Sequence, residues 1–398
     1  LDFVIQSRFV AADVRVANLL SAFRDPDLVR FFTVVSAIGY WKVIATLGIA
    51  ASALMVLRRR PQYLAGLWLT VIGNQLTVTL LKNIFARPRP EMAVYVESSF
   101  SFPSGHSAAS VAFFGFVTYV VIREHIGWVV TSFVTGASLI FLIGLSRIYL
   151  VEHYLSDVLN GYLVGALWML LGIFLAQWLT TRADWTVQTT VQPWQKVASI
   201  GVVISAVVTA AVIVKDYQQT YNRRPIHDII QLDAPLQTAF AGGHLPTHSE
   251  NILGQPQEPI SLVVLAQNDA AFTTAFNKAG WHVADWPGFN AMSPAFWDSR
   301  PNDVGYQTGP GQDSLEYRHH ARFWRTDFRT QDGLLIFVGT ASRDQGLKWG
   351  LTHQIDPNID AERDFLATGL RNTGLISAEY RFQLVAPVLA QTLTDDPF

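Results

Sequence analysis

A polytopic α-helical membrane domain of about six spans, followed by a soluble α/β or α+β domain, is the architecture predicted for this chain of 398 residues. Half of its residues are hydrophobic and only 15% are charged. The apolar weight lies before residue 215, after which Pro, Gly, Asp, Arg and His punctuate the chain in the manner of a globular domain. Near-continuous apolar runs at about 31–57, 62–81, 107–122, 128–150, 156–180 and 197–214 each approach the ~20 residues that carry a helix across hydrocarbon. A soluble core has too little protein to cover so many such runs.

In chain order, residues 1–30 form an amphipathic interfacial segment, with Arg8, Asp13, Arg15 and Arg24 set among apolar residues of 8–24. Residues 31–215 are the spanning domain and 216–398 the soluble one. The chain starts at Leu1 without a basic region ahead of a short apolar core, so no signal peptide is visible and an upstream segment, membrane domain or fusion partner is expected. The absence of cysteine excludes disulfides and Cys-ligated zinc or iron–sulfur sites. A net charge of −2 lacks the basic footprint of a nucleic-acid binder.

Parity assigns a side to each loop. The end of the second run, the start of the third, the end of the fourth and the start of the fifth fall on one face. The opposite face receives Arg58, Arg59, Arg60, Arg123, Arg182 and Lys196 in short loops. Positive charge marks the cytoplasmic side, so the first face is expected to be extracytoplasmic, together with residues 217–398.

That face gathers the chemistry. Lys82 closes the second run, and Asn83 to Pro90 cannot continue the helix, because each proline removes a donor and pushes the residue before it toward extended backbone. Arg89 is thereby held on a stiff strand beside the helix end. An ammonium with a forked guanidinium suits a phosphate dianion, although Lys and Arg also snorkel to lipid headgroups. In Ser101-Phe102-Pro103-Ser104-Gly105-His106, Ser104 stands where a helix cap would and Gly105 admits a ligand close to free backbone N–H groups. His106 is suited to proton transfer, and equally to a plain interfacial position. In Ser146 to Asp157, a four-residue spacing places Asp157 and His153 on one helix face if Asp157 lies in the first turn. A carboxylate holding one ring nitrogen leaves the other as an oriented nucleophile or base, or else the pair merely fastens a helix end. Glu152 points to a different face and has no assigned role.

Lys82 six residues ahead of Arg89-Pro90, then Pro103-Ser104-Gly105-His106, then Ser146-Arg147 with His153 and Asp157 following, resemble the type 2 phosphatidic acid phosphatase (PAP2) superfamily over about residues 1–180. The resemblance implies a membrane lipid phosphate phosphatase with His153 as the nucleophile that forms a phosphohistidine, Asp157 as its orienter and His106 as acid and then base. It implies that Lys82, Arg89, Ser104, Gly105 and Arg147 hold the phosphoryl oxygens, with no metal or other cofactor required. Implied substrates are membrane lipid phosphates such as undecaprenyl diphosphate, phosphatidic acid, phosphatidylglycerol phosphate or a lipid A phosphate. Two departures stand out: the family has more helix ahead of the lysine, and Leu155 stands where proline is common. Rival readings are a lipid-phosphate receptor or transporter without turnover, and vanadate peroxidase chemistry, whose proteins are soluble.

In the soluble half, Ser261 to Leu265 and Gly333 to Gly339 are expected strands and Asp269 to Ala279 a helix. About residues 225–385 are similar to the LssY-type C-terminal domain, a resemblance that brings no activity with it. His319, His320, His353, Asp356 and Asp360 are metal-ligand types without a ligand spacing. Arginines 318, 322, 325 and 343 suit either a headgroup contact or the ordinary surface pairs of a strand edge.

Overall fold

The computed structural model describes residues 8–182, 192–217, 219–222, 229–284, 295–308, 318–348 and 352–386. The chain forms two compact units, Val16–Pro225 and Ile226–Phe398 with Leu1–Arg15.

The first helix, α1 (Arg8–Ala22), covers the segment expected at an interface. Its charges behave otherwise: Asp13 and Arg15 are buried, Arg15 against Glu250 at 2.5 Å, and Arg24 donates to the carbonyl of Met92. Pairing inside protein, not a polar face toward headgroups, accounts for these residues. The side chain of Arg8 lies outside the described residues.

The run at 31–57 is not one helix. It is α2 (Pro26–Ile38) and α3 (Trp41–Leu57), bent by 42° at Gly39–Tyr40. Asp25 starts α2 by accepting from the N–H groups of Asp27 and Leu28, with Pro26 in the first turn where its missing donor costs nothing. The break is sited at a glycine for a steric reason: a Cβ on Gly39 would fall 2.8 Å from Ile143 Cγ2 and 3.2 Å from His106 Cδ2.

The remaining apolar runs form α4 (Pro61–Phe85), α5 (Gly105–Glu124, with a π-helical turn over Val111–Gly115), α6 (Val129–Tyr149), α7 (Leu155–Arg182) and α8 (Pro193–Lys215). Among the described residues, five helices are long and apolar enough to cross a membrane, six if the bent pair counts as one span. A small-residue seam on α7 sets the packing. A Cβ on Gly161 would sit 2.6 Å from the Ser104 carbonyl, one on Gly172 2.6 Å from the Gly66 carbonyl, and one on Gly165 would collide with the Ala108 carbonyl. Backbones approach this closely in apolar surroundings only across such residues. The seam fixes α7 against the start of α5, where Ser104 and His106 lie.

After α8 the chain turns back toward the same end of the bundle that carries the loop before α5: the N–H of Val96 donates to Thr220 and that of Asn222 to Val94. At the far end Arg60 pairs with Glu124 at 2.9 Å.

The second unit is built on a long antiparallel hairpin of strands His319–Arg329 and Leu335–Lys348. Leu262–Ala266 and Thr352–Ile355 pair with the second strand, and Val304–Thr308 with the first. Helices Asp269–Lys278 and Ile359–Asn372 bring Phe272, Phe276 and Leu366 to a core with Phe323 and Phe337, while Trp297, Trp324 and Ile336 belong to a second core. The expected strands and helix are present. The Arg-rich strand is not an edge, since it is paired on both sides. Its histidines take carboxylate partners, His319 with Glu362 at 2.8 Å and His320 with Asp344 at 2.5 Å. Among the described residues no group of three or more His, Asp or Glu suits a metal ion, and the side chain of His353 lies outside them.

Candidate active site

The ends of α4 and α6 and the starts of α5 and α7 meet at one end of the bundle. Lys82 lies in the last turn of α4, which stops at Ala86 in the left-handed region (φ 42°). Beyond it the Arg-Pro-Arg-Pro segment is extended enough that Arg87 and Arg89 serve the same cluster. Arg87 Nη1 donates to Asp157 Oδ1 at 2.7 Å and to Ser156 Oγ at 2.8 Å. Arg89 is tied by Nε to the Ser99 carbonyl and by Nη1 to the Glu152 carbonyl, both at 2.7 Å, and its Nη1 stands 3.4 Å from His153 Nε2. Lys82 Nζ donates to the Phe100 carbonyl.

Ser104 caps α5, accepting from Ser107 Oγ at 2.9 Å, while its own N–H donates to the Asp157 carbonyl at 3.0 Å. Gly105 opens the helix beside Val78. His106 Nε2 is buried and has no hydrogen-bond partner. A basic nitrogen kept unpartnered at a helix start is placed to meet an oxygen of a ligand.

Arg147 is only 2% exposed. Its Nη1 donates to Ser36 Oγ at 2.6 Å and its Nη2 lies 3.5 Å from Glu97 and 3.8 Å from Glu152. Immediately after, α6 ends in a Schellman turn: the N–H of Glu152 donates to Arg147 at 3.0 Å and that of Val151 to Ile148 at 2.9 Å. The left-handed position belongs to Val151, with φ 54°, where glycine is usual. A β-branched residue there carries real backbone strain. That turn delivers Glu152 and His153 into the cluster.

Asp157 lies in the first turn of α7, as the spacing suggested, but His153 stands before the helix and not on its face. His153 Nδ1 is 3.7 Å from Asp157 Oδ2, too far for a hydrogen bond. Ser101 stands between them: its Oγ donates to Asp157 Oδ2 at 2.5 Å and lies 3.4 Å from His153 Nδ1. The N–H of Tyr154 donates to the same carboxylate oxygen at 3.0 Å. Burial, then the charges of Arg89, Arg147 and Lys82, hold the His153 imidazole well below its ordinary range. The lowered pKa favours the neutral ring, whose Nε2 faces the Arg89 guanidinium. Burial pushes the Glu152 carboxyl up, against the pull of Arg147 and of the Tyr95 N–H, which donates to it at 2.8 Å.

All eight residues singled out from the sequence sit at this end of the bundle. Sequence reasoning missed Arg87, Ser101, Ser36 and the part played by Glu152. Arg87 carried a signal, since it shares one face with Arg89 in an extended segment. Ser36 and Ser101 carried none that spacing could reveal, because they come from the last turn of α2 and from a loop. If Ser101 links Asp157 to the ring, Ser101→Ala lowers kcat about tenfold and leaves KM within a factor of two; a rise in KM with kcat unchanged would assign Ser101 to ligand binding instead.

A family model described as the PAP2 superfamily matches residues 63–182, and one described as the LssY C-terminus matches residues 290–398, shorter at its start than the resemblance suggested. Phosphatidylglycerophosphatase B of Bacillus subtilis (strain 168) is 30% identical over 163 residues, 39% of this chain and 79% of that protein. The chain belongs to the PAP2 superfamily. Among solved structures, a transmembrane PAP2-type phosphatidylglycerolphosphate phosphatase from Bacillus subtilis is 25% identical, covering 46% of this chain and 92% of its own, with a TM-score of 0.40. LpxE of Aquifex aeolicus is 28% identical over 41% of this chain and 94% of its own, with a TM-score of 0.32. With its apolar helices and this kinship, the PAP2 chain is an integral membrane protein of a lipid phosphatase family.

Proposed function

We propose that this protein hydrolyses a lipid phosphate or diphosphate through a phosphohistidine on His153, without a metal, at the extracytoplasmic face. The observation that carries the reading is the buried His153 whose Nε2 stands 3.4 Å from Arg89 within a cluster that also holds Lys82 and Arg147. Nε2 attacks phosphorus as the bond to the leaving oxygen breaks, and His106 gives that oxygen a proton. Water then attacks phosphorus, His106 takes its proton, the P–N bond breaks and phosphate leaves. The cations, with Ser104 and the Gly105 backbone, stabilise charge spread over the equatorial oxygens. Asp157 holds the Nδ1 side of the ring through Ser101. Kinship with a phosphatidylglycerophosphatase favours a glycerolipid phosphate such as phosphatidic acid over undecaprenyl diphosphate.

The test is phosphate release from a panel of lipid phosphates by the purified full chain in detergent with excess EDTA. Release by the parent, absent in His153→Ala, supports the reading. Tight binding without release from any lipid would replace it with a receptor or transporter.

The depressed His153 pKa also predicts a pH profile. Because the neutral ring is the reactive form and protonation is disfavoured, kcat/KM holds as pH falls through 6.5, once the second ionisation of the substrate phosphate near about 6 is accounted for. An enzyme-derived acid limb at or above 6.5 would contradict this.

A further inference from the structure

Below the cluster, α3, α4 and α5 enclose a cavity of about 410 Å³ lined mainly by apolar side chains, among them Ile44, Leu67, Val71 and Phe113, with two carboxamides, Asn74 and Gln75, of which Gln75 donates to Thr79 Oγ1. Trp41 and Ile49, each 64% exposed, stand at its open side, so it is reached from outside the bundle. On α5 its lining begins at Ala109, one turn beyond His106. On α4 it includes Asn74, which shares a stripe with Val78 and Lys82 at four-residue intervals. Val78 lies against Gly105, so this stripe leads from the lysine past the helix start and down into the cavity.

Asn74 does not fit an apolar cavity by itself. It is 3% exposed, and its Oδ1 is buried without a hydrogen-bond partner. A polar group left unpaired among membrane helices is costly and marks a ligand contact by default. Eight residues of helix separate it from Lys82, a rise of about 12 Å. An isoprenoid tail offers nothing to hydrogen-bond at that depth. An acylated lipid offers a carbonyl where its chain is joined to the backbone, and an amide-linked one an N–H as well; a carboxamide can meet either.

We propose that this cavity holds an acyl chain of the lipid phosphate substrate, and that Asn74 hydrogen-bonds the ester or amide linkage at its head, making the enzyme selective for acylated lipids over polyprenyl phosphates. The proposal rests on the lipid phosphatase reading above and narrows it.

The experiment compares a diacyl ester-linked glycerol phosphate, its ether-linked counterpart lacking the carbonyls, and a polyprenyl phosphate, in the same micelles, for the full chain and for Asn74→Leu. For the parent, the ester-to-ether ratio of kcat/KM is expected to be about ten, and Asn74→Leu brings it to about one; the ester-to-polyprenyl ratio moves the same way. A parent without ester preference overturns the proposal, as does a variant that loses activity on all three lipids in proportion, which would make Asn74 a purely structural residue. No release from any lipid by the parent overturns the phosphatase reading and this proposal with it.

Discussion

His153→Gln is expected to reduce phosphate release by a factor of about 10⁴ or more while lipid binding persists, because the variant keeps the shape and polarity of the site but has no nucleophilic nitrogen. The ring is enclosed, with Arg89 on one nitrogen and Ser101 near the other. Single-turnover experiments with labelled lipid separate the two displacements: the parent retains phosphorus on the protein transiently under alkaline quench, and the variant retains none. Turnover by the variant within tenfold of the parent would remove His153 from the mechanism altogether.

The second large effect concerns Arg147 and acts on stability as well as activity. Arg147 and Glu152 are 2% and 1% exposed and face one another at 3.8 Å. Removing Arg147 leaves Glu152 with Arg89, at 3.6 Å, as its remaining cation and takes the partner from Ser36 and Glu97, at a cost of about 1–3 kcal/mol. Arg147→Met should therefore lower the thermal midpoint in detergent and, on the proposed role of the guanidinium in holding phosphate, reduce kcat/KM by about 10²–10³. Adding Glu152→Gln should restore much of the midpoint and none of the activity. A midpoint for Arg147→Met equal to that of the parent would show that this pair does not hold the loop after α6.

What the sequence revealed follows the physics of each signal. Apolar runs are dictated by hydrocarbon thickness, so α4 to α8 fall within a few residues of expectation. The bend at Gly39 was hidden, because a glycine within an apolar run marks a break only when a neighbour crowds it, and Ile143 and His106 are far away in sequence. The candidate site residues were legible because Lys, Arg and His at the ends of spans have few other reasons to be there. Ser101 and Glu152 were not, since a serine in a loop and an acid beside a histidine are unremarkable until the loop between α4 and α5 folds over them. The buried charges of α1 failed for a related reason: Arg15 looks like a headgroup contact until Glu250, 235 residues away, is placed beside it.

The Schellman turn at Val151 bears on how the enzyme ages in use. Its left-handed valine, fully buried at 0% exposure, is held by the hydrogen bonds of the turn and by the side chains that surround it. Left to itself the turn would relax to a commoner backbone shape, carrying Glu152 and His153 away from Arg89. The placement of His153 beside Arg89 thus depends on the tightness of the helices as well as on the loop. Mild detergents or warming that loosen the bundle should silence turnover while the helical circular dichroism is still intact, and lipids that tighten the bundle should bring it back.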